Sequence, residues 1–259
     1  MADKVGQEKP EDSLPDGSFH DNIQSSDSIY TATTNDTTKA TISEVSPMPP
    51  IDQREQVYET AYRLYNSGLI RLSAGNISLR GKYDNIAITP SGIWYEYMEP
   101  EDVVIIDLEG HIVDAKSGRK PSSEWALHSA IYLTMPEVKA IVHTHSIYAL
   151  VFASLVKEIP PISIELIPAG GTIPVAPYAP AGTPEVGHGA AAIFQSQPGL
   201  KGLLLQNHGL VTIGKTLDEA FEYALDIETA AQAYHLALQI GQPVTLTDDQ
   251  IDDFFRYHG

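Results

Sequence analysis

Apolar residues follow two repeating patterns once the first 50 or so residues of the chain are passed. Apolar positions three or four residues apart predict amphipathic helices, and short runs of Ile, Val and Leu between turn residues predict strands. The predicted helices are one through Val57, Ala61, Leu64 and Tyr65 that stops at Gly68, followed by 124–133, 146–156, 184–195 and 217–241. The predicted strands are 77–80 and 85–89, the hairpin of 103–110 with 111–115, then 138–145 and the strand–turn–strand segment 202–214.

Two of these helices begin with residues that commonly cap a helix. Thr183 and Pro184 predict an N-cap followed by the first helical residue, and Thr216 with Glu219 predicts a capping box. Strands alternate with helices, yet some strands are joined by short turns. The pattern therefore predicts one α/β domain with a mixed sheet, of which only part can be built from right-handed βαβ units.

Residues 1–50 differ in composition from the rest of the chain. Asp, Glu, Ser, Thr, Asn and Pro dominate there, and large apolar side chains are few and isolated. Such a segment cannot bury enough apolar surface to offset the entropy lost on ordering, so it predicts a disordered acidic tail. Residues 51–259 are then predicted to form the folded domain.

The composition narrows the classes of function. The formal net charge is −18 and the sequence pI is about 4.7. Such an acidic surface repels phosphodiester backbones and anionic lipids, so neither nucleic acid nor membrane is a predicted partner. No apolar run approaches the roughly 20 residues of a membrane-spanning helix, and the N-terminus lacks the apolar centre of a secretory signal. Because the chain has no cysteine, any metal must be held by histidine and carboxylate side chains, and a cytoplasmic location is predicted.

His143 and His145 form the first candidate metal pair. Side chains alternate between the two faces of a strand, so two histidines separated by one residue project from the same face. Shared coordination of a metal requires this arrangement. The other interpretation is a surface or capping pair at the end of a strand, and the spacing alone does not decide between the two.

Two further residues are candidate ligands. His208 lies in the turn 206–209 after an apolar run, where α/β proteins often keep binding residues, although a lone histidine there is also often structural. Glu124 begins a predicted helix, where a glutamate commonly stabilises the positive end of the helix dipole. His128 lies four residues further on, so Glu124 and His128 share a helix face and form a rival two-ligand set.

Three turns rich in hydroxyl groups and glycine are candidates for binding an anion. Glycine permits close approach of the backbone, while hydroxyl and N–H groups donate to phosphate, above all at the start of a helix. Each turn by itself is also consistent with an ordinary loop. The three segments are 73–76, 89–92 and 122–123.

Four motifs, taken together in this order and spacing, resemble those of the class II aldolase/adducin family. They are PSSEW at 121–125, VHTHS at 142–146, AGGTIPVAPYAPAGT at 169–183 and QNHG at 206–209. The similarity runs from about residue 54 to the end of the chain. It implies a single three-layer domain, with a mixed central sheet flanked by helices, in which 51–259 is the catalytic domain. It also implies a homotetramer with active sites at the subunit interfaces.

The resemblance assigns roles to individual residues. The metal ligands it implies are Glu124, His143, His145 and His208. Zn²⁺ suits this donor set, with Mn²⁺, Fe²⁺ and Co²⁺ as alternatives, and His128 then reverts to a structural residue. The phosphate-binding residues it implies are Ser73, Asn76, Ser91, Gly92, Ser122 and Ser123. Glu124 is implied to act also as the proton-transfer base.

Two more residues are implied to be catalytic at positions where the chain departs from the family or matches it loosely. Where the family aldolase takes a tyrosine from a neighbouring subunit, this chain has Ile164, followed by Glu165. Glu165 resembles the acid/base of a related dehydratase; its alternative is a solvated glutamate at a strand edge. Tyr257 resembles a second family tyrosine that closes over the site; its alternative is an aromatic residue packed on the surface.

The implied activity is that of a lyase. It is the retro-aldol cleavage of a ketose 1-phosphate, of the fuculose-phosphate type, to dihydroxyacetone phosphate and an aldehyde. The alternatives are a sugar-phosphate epimerase, dehydratase or decarboxylase on the same scaffold, and a non-catalytic adducin-like assembly module. Epimerases of the family usually carry Asp in place of Glu124, and a module without chemistry has no need of four metal ligands.

Overall fold

The computed structural model describes residues 52–258, and the tail predicted for 1–50 lies outside the described residues. Its helices are α1 (Gln53–Asn66), α2 (Trp125–Thr134), α3 (Ile147–Leu155), α4 (Pro184–Ser196), α5 (Leu217–Ile240) and α6 (Asp248–His258). Its strands are β1 (Asn76–Arg80), β2 (Ile86–Ile88), β3 (Val104–Ile106), β4 (Ile112–Asp114), β5 (Ala140–Thr144), β6 (Val175–Ala176), β7 (Gly202–Leu205) and β8 (Gly209–Gly214). The helices and strands predicted from the apolar pattern are therefore confirmed, apart from β6 and α6, which that pattern did not predict.

The strands form one sheet in the order β4-β3-β2-β1-β5-β8-β7-β6. Every neighbouring pair is antiparallel except β6 and β7, which are parallel and are joined through α4. The prediction of a mixed α/β sheet is confirmed, and the short turns seen in the sequence account for its mostly antiparallel character. The two longest neighbouring strands, β5 and β8, lie at its centre.

Helices cover both faces of the sheet. On one face, Thr212 of β8 bonds the carbonyl of Ala220 in α5, and α5 in turn packs against α1 and α3. On the other face, Ser78 of β1 bonds His128 and Tyr132 of α2, which packs against α4. The fold therefore has three layers, and the apolar core lies between each helix layer and the sheet.

The two predicted caps are formed in modified ways. Thr216 caps α5 by accepting the N–H of Glu219, but the Glu219 carboxylate accepts the N–H of Lys215, one residue before the N-cap. At α4, Thr183 is the N-cap residue and Pro184 the first helical residue, as predicted. The Thr183 hydroxyl accepts no N–H of the helix and instead donates to the carbonyl of Pro180, a bond that the local sequence pattern does not show.

Helix α6 carries apolar residues on one side and acidic residues on the other, and none of its described residues is buried against the rest of the chain. Tyr257 lies on this helix and is 77% exposed. No helix of the part that the structure describes is long and apolar enough to cross a membrane.

Helix α2 offers a direct test of the packing on the sheet. Ile131 is 0% exposed and Leu133, two residues on, is 58% exposed. We expect Ile131→Ala to lower the free energy of unfolding by about 2–5 kcal/mol, because it removes buried apolar contacts and leaves a cavity. Leu133→Ala, the matched control, should change it by less than about 1 kcal/mol. Chemical denaturation followed by circular dichroism measures both values, and equal losses would contradict the assigned orientation of α2.

Candidate metal centre

One carboxylate and three imidazoles converge at one end of the central strands. Each of these side chains offers a ligand atom, and the four atoms lie within 4.8 Å of one another. The residues are the predicted set of Glu124, His143, His145 and His208. His143 belongs to β5, His145 follows it by two residues, His208 lies in the β7–β8 turn, and Glu124 is the N-cap of α2. Three segments distant in sequence therefore meet at a single point.

The interatomic distances are those of a compact donor set. His143 Nε2 and His145 Nε2 are 3.0 Å apart. Glu124 Oε2 lies 3.2 Å from His143 Nε2, and Glu124 Oε1 lies 2.9 Å from His208 Nε2. Strand β5 ends at Thr144, so His145 lies just beyond it rather than inside the predicted strand, but the two imidazoles still point to the same centre.

Backbone features hold the histidines in place. In the β7–β8 turn Asn207 has a positive φ of 57°, which lets the chain reverse within three residues. A Cβ added to Gly209 would lie 2.2 Å from the carbonyl oxygen of Thr144 and 3.2 Å from His145 Cδ2. Glycine at this position therefore lets β8 approach the end of β5, which brings His208 next to His145.

The His143 ring is fixed in one tautomer. Its Nδ1–H donates to the carbonyl oxygen of Leu210 over 2.9 Å, and the side chain is fully buried. Its Nε2 therefore faces the centre of the cluster, and in the neutral ring this nitrogen carries the lone pair that a metal binds. A hydrogen bond from the far nitrogen to a backbone carbonyl is the usual way in which proteins orient a metal-binding histidine.

The carboxylate at the cluster has room for a further partner. Glu124 Oε1 is buried, and His208 Nε2 lies 2.9 Å from it without the geometry of a hydrogen bond, so this oxygen can still coordinate a cation. Burial alone raises the pKa of Glu124, but the adjacent imidazoles of His143 and His208 outweigh it and hold the pKa well below its usual range. Burial, followed by the charge of the neighbouring imidazoles, lowers the pKa of His145 to about 4. A divalent cation binds a deprotonated carboxylate and deprotonated imidazole nitrogens, and the lowered pKa values of Glu124 and His145 favour those forms, so the residues present fit a metal such as Zn²⁺.

His128 does not join this cluster. Its ring is fully buried and bonds Asn76 on one side and Ser78 on the other. The rival metal set of Glu124 with His128 is therefore not formed.

A cavity of about 350 Å³ opens beside the cluster. It is lined by Glu124, His145 and His208, while His143 lies behind them. All the residues predicted to bind phosphate also line it, namely Ser73, Asn76, Ser91, Gly92, Ser122 and Ser123. Ala181 and Gly182 line it too; they belong to a sequence motif quoted above but were not predicted as site residues. The cavity is large enough for a small phosphorylated ligand.

A bridge between two loops builds the hydroxyl-rich wall of this cavity. Pro90 and Pro121 pair across the loops, with the Ser91 N–H donating to the Lys120 carbonyl at 3.0 Å and the Ser122 N–H donating to the Thr89 carbonyl at 2.9 Å. These two N–H groups are therefore already used. Within residues 52–258, the backbone N–H groups of the neighbouring Gly92 and Ser123 have no such partner and remain free to donate to an anion.

Asn76 has a further role that the sequence did not indicate. Its Nδ2 donates to Glu124 Oε2 over 2.8 Å, and its Oδ1 contacts His128 Nε2. Asn76 pairs with His143 across β1 and β5, so both side chains lie on the same face of the sheet. The side chain thus supports the carboxylate as well as lining the cavity. Only the register of two strands shows this, which no local motif encodes.

Glu165 and Tyr257 do not line the cavity of their own chain. Glu165 lies in the exposed turn Ile164–Leu166, which packs against α5. There, burial followed by the negative charges of Glu165 and Glu222 raises the pKa of Asp226 to about 6. The catalytic roles predicted for Glu165 and Tyr257 stay predictions.

Known proteins resemble this chain over most of its length. The sequence profile of the Class II Aldolase and Adducin N-terminal domain matches residues 55–235. A 5-deoxy-D-ribulose 1-phosphate aldolase of Bacillus thuringiensis serovar kurstaki is 37% identical over 205 residues, which cover 79% of this chain and 94% of the relative. An L-fuculose phosphate aldolase of Escherichia coli K12 is 36% identical over 196 residues, which cover 75% and 88%. A solved structure of an L-fuculose 1-phosphate aldolase matches with a TM-score of 0.73 at 32% identity, over 79% of this chain and 95% of that one. These matches confirm the family resemblance that the four motifs indicated.

A substitution at Gly209 tests whether the close approach of β5 and β8 positions the side chains of the candidate metal cluster. We expect Gly209→Ala to weaken Zn²⁺ binding about 10- to 100-fold, because the added methyl group pushes the β8 backbone away from Thr144 and His145. Gly189→Ala in α4 is the control, since a Cβ there meets no atom within 4 Å. Competition with a chelator measures the affinity, and far-UV circular dichroism verifies the fold. Unchanged affinity in a folded Gly209→Ala variant would refute this account.

The raised pKa of Asp226 predicts that the stability of the folded chain depends on pH. Its pKa is raised from 3.8 to about 6 in the folded chain, so the folded state binds more protons than the unfolded state between these values. The stabilising contribution is complete below about pH 4 and is lost as the pH rises towards 6. Asp226→Asn should therefore be more stable than the wild type above pH 6, by no more than about 1 kcal/mol, since the group is only partly buried and solvent screens its charge.

Thermal unfolding at a series of pH values measures this difference. It should grow between about pH 4 and pH 6 and then level off. In a Glu165→Gln background the rise should shift to lower pH, because one of the charges that raise the pKa of Asp226 is gone. A difference that is the same at every pH would exclude the raised pKa.

Proposed function

The chain belongs to the class II aldolase and adducin family, and on this basis we propose that it is a divalent-metal lyase that cleaves a ketose 1-phosphate to dihydroxyacetone phosphate and an aldehyde. The relatives named above act on phosphorylated sugars of the fuculose and deoxyribulose kinds. One observation carries the proposal: the carboxylate and three imidazoles form one wall of a cavity whose other wall consists of serine and glycine loops.

Glu124, His143, His145 and His208 would hold the cation. Three nitrogen donors and one oxygen donor suit Zn²⁺, and Mn²⁺, Fe²⁺ or Co²⁺ fit the same set. When bound, the cation supplies Lewis-acid stabilisation of the negative charge that develops on the substrate's carbonyl oxygen.

The serine and glycine loops would bind the substrate's phosphate. The exposed hydroxyls of Ser73, Ser91 and Ser123 and the free N–H groups of Gly92 and Ser123 are donors that surround the cavity. No Lys or Arg is among the lining residues. Neutral donors of this kind bind a phosphate dianion without a cation, as in other backbone anion sites, so the net charge of −18 is compatible with an anionic substrate.

The reaction needs two proton transfers. The hydroxyl on C4 loses its proton, the C3–C4 bond breaks, and C4 becomes the aldehyde carbon. The electron pair of the broken bond moves into an enediolate over C2 and C3, and C3 then takes up a proton to give dihydroxyacetone phosphate. Glu124 lies between the metal-binding imidazoles and the cavity, so it is our candidate for the proton transfer at C3.

The acceptor of the C4 proton would come from a second copy of the chain. Glu165 and Tyr257 are exposed and lie outside their own cavity, so they can act only in the cavity of a neighbouring subunit. This arrangement supports the homotetramer with shared sites that the resemblance implies. We also propose that the enzyme is cytoplasmic, since it has no cysteine for which an oxidising compartment would be needed.

The test is product analysis with purified, Zn²⁺-loaded protein. Fuculose 1-phosphate, ribulose 1-phosphate and 5-deoxyribulose 1-phosphate should be assayed for release of dihydroxyacetone phosphate. We expect cleavage of at least one, its loss on chelation and its return with Zn²⁺. Glu124→Gln should lower kcat/KM by about 10²- to 10⁴-fold, the range for loss of a proton-transfer group. Glu109→Gln, an exposed glutamate in the β3–β4 turn, is the control.

Two results would exclude the proposed reaction. One is cleavage that is indifferent to chelation and to Glu124→Gln. The other is an epimer, or a product that has lost water or carbon dioxide, in place of dihydroxyacetone phosphate.

A further inference from the structure

A chain of buried hydrogen bonds runs from the metal cluster into the space between β1 and α2. Glu124 Oε2 accepts from Asn76 Nδ2 over 2.8 Å, and Asn76 Oδ1 contacts His128 Nε2. His128 Nδ1 lies 2.6 Å from Ser78 Oγ, which lies 2.8 Å from the hydroxyl of Tyr132. Every member of this buried relay is 9% exposed or less, and His128, Ser78 and Tyr132 are 0% exposed. Solvent therefore does not supply alternative partners to His128, Ser78 and Tyr132, whereas Asn76 and Glu124 also line the cavity.

The carboxylate fixes the direction of every hydrogen bond in the buried relay. An ionised carboxylate only accepts, so Asn76 must turn its Nδ2 towards Glu124 and its Oδ1 towards His128. Asn76 Oδ1 also only accepts, so His128 must carry its proton on Nε2. In the neutral ring Nδ1 is then an acceptor, and Ser78 donates to it. Because the Ser78 proton is used on His128, the Tyr132 hydroxyl completes the relay by donating to Ser78 Oγ over 2.8 Å, with the backbone carbonyl of Ser78 at 3.1 Å as a second acceptor.

The His128 ring is neutral because of where it lies. Burial, followed by the charge of His143, lowers its pKa to about 3. A neutral ring has one donor and one acceptor, which is what this order of partners requires.

An asparagine amide has nearly the same shape after a half-turn, so only its hydrogen bonds decide which way it faces. If Asn76 turned over, its Oδ1 would face the Glu124 carboxylate, and two acceptors would oppose each other without water between them. The Nε2–H of His128 prevents that half-turn, because a reversed amide would also place Nδ2 against this donor.

We propose that His128 is a positioning residue that, through Asn76, holds Glu124 Oε2 and so directs the other carboxylate oxygen, Oε1, towards the metal. The inference rests on the proposed function, since it concerns the same carboxylate. His128 touches neither the metal-binding atoms nor the cavity. It acts by fixing the orientation of one amide, and the family motifs indicated no such task for it.

Two neutral substitutions of His128 separate this role from simple packing. The amide of His128→Gln reaches the place of Nε2 and can still donate to Asn76, whereas the amide of His128→Asn ends near Nδ1 and contacts only Ser78. We expect His128→Asn to weaken Zn²⁺ binding at least about tenfold, within the range for groups that orient metal ligands, and His128→Gln to restore most of the affinity. Competition with a chromophoric chelator measures both.

Tyr132→Phe is the structural control. It removes a buried hydroxyl at the far end of the relay but leaves the Glu124–Asn76–His128 contacts intact. It should lower the unfolding temperature without changing the Zn²⁺ affinity. If the affinity of the three variants simply follows their stability, His128 has no positioning role.

A double-mutant cycle shows whether His128 acts through Asn76. Asn76→Ala alone should weaken Zn²⁺ binding, and adding His128→Asn should weaken it little further, because the group through which His128 acts is already gone. Additive losses would contradict the proposed route.

The tautomer of His128 can be tested without bound metal and without an activity assay. Nitrogen-15 NMR of the metal-free protein should show the His128 proton on Nε2, and a proton on Nδ1 alone would overturn the inference. Failure of the proposed function looks different: the wild-type protein would bind no Zn²⁺ or release no dihydroxyacetone phosphate. A wild type that does both, together with an unaffected His128→Asn variant, would reject the positioning role alone.

Discussion

The arrangement of this molecule depends on one buried carboxylate. Removing an ion from water costs several kcal/mol unless partners compensate for it, and Glu124 is compensated by imidazoles on one side and an amide on the other. The antiparallel pairing of β5 with β8 brings His143 and His208 to the same end of the sheet, and the N-terminus of α2 brings Glu124 to meet them. The positions of three secondary-structure elements are thus tied to the satisfaction of one charge.

The parts of the site that follow from local sequence were predictable. Side chains two residues apart in an extended chain point to the same face. The shared direction of His143 and His145 could therefore be predicted from their spacing alone. Two apolar runs flank the turn 206–209, so the β-hairpin could be predicted from these residues without information about distant ones. The hydroxyl-rich loops were recognised by composition for the same reason. Local sequence alone did not show whether His128 belongs to the candidate metal cluster. The family resemblance assigned the other three histidines to it instead.

The parts that depend on contacts between distant segments were not predictable. The pairing of Pro90 with Pro121, which leaves Gly92 and Ser123 as the free donors, joins loops with no common sequence signal. The two-residue strand β6 has too few residues to show an alternating pattern, and it exists because β7 offers it an edge. The Thr183 hydroxyl, expected to cap α4, donates to Pro180 because the preceding turn brings that carbonyl closer. In each case a partner outside the local pattern decides the outcome.

The candidate site residues fall into two groups, one held in the interior of the fold and the other on its exposed surface. The side chains of the Glu/His cluster and the hydroxyl-rich loops beside it are held in place by strands and by the buried relay. The residues that we propose for the transfer of the C4 proton, Glu165 and Tyr257, are exposed and lie in the segment Ile164–Leu166 and on α6. The position at which the family tyrosine is replaced, Ile164, is 55% exposed in the same turn. In the reaction that we propose, the surface of a neighbouring copy would therefore decide which aldehyde is released, while the single chain would bind the phosphate and hold the cation that polarises the carbonyl.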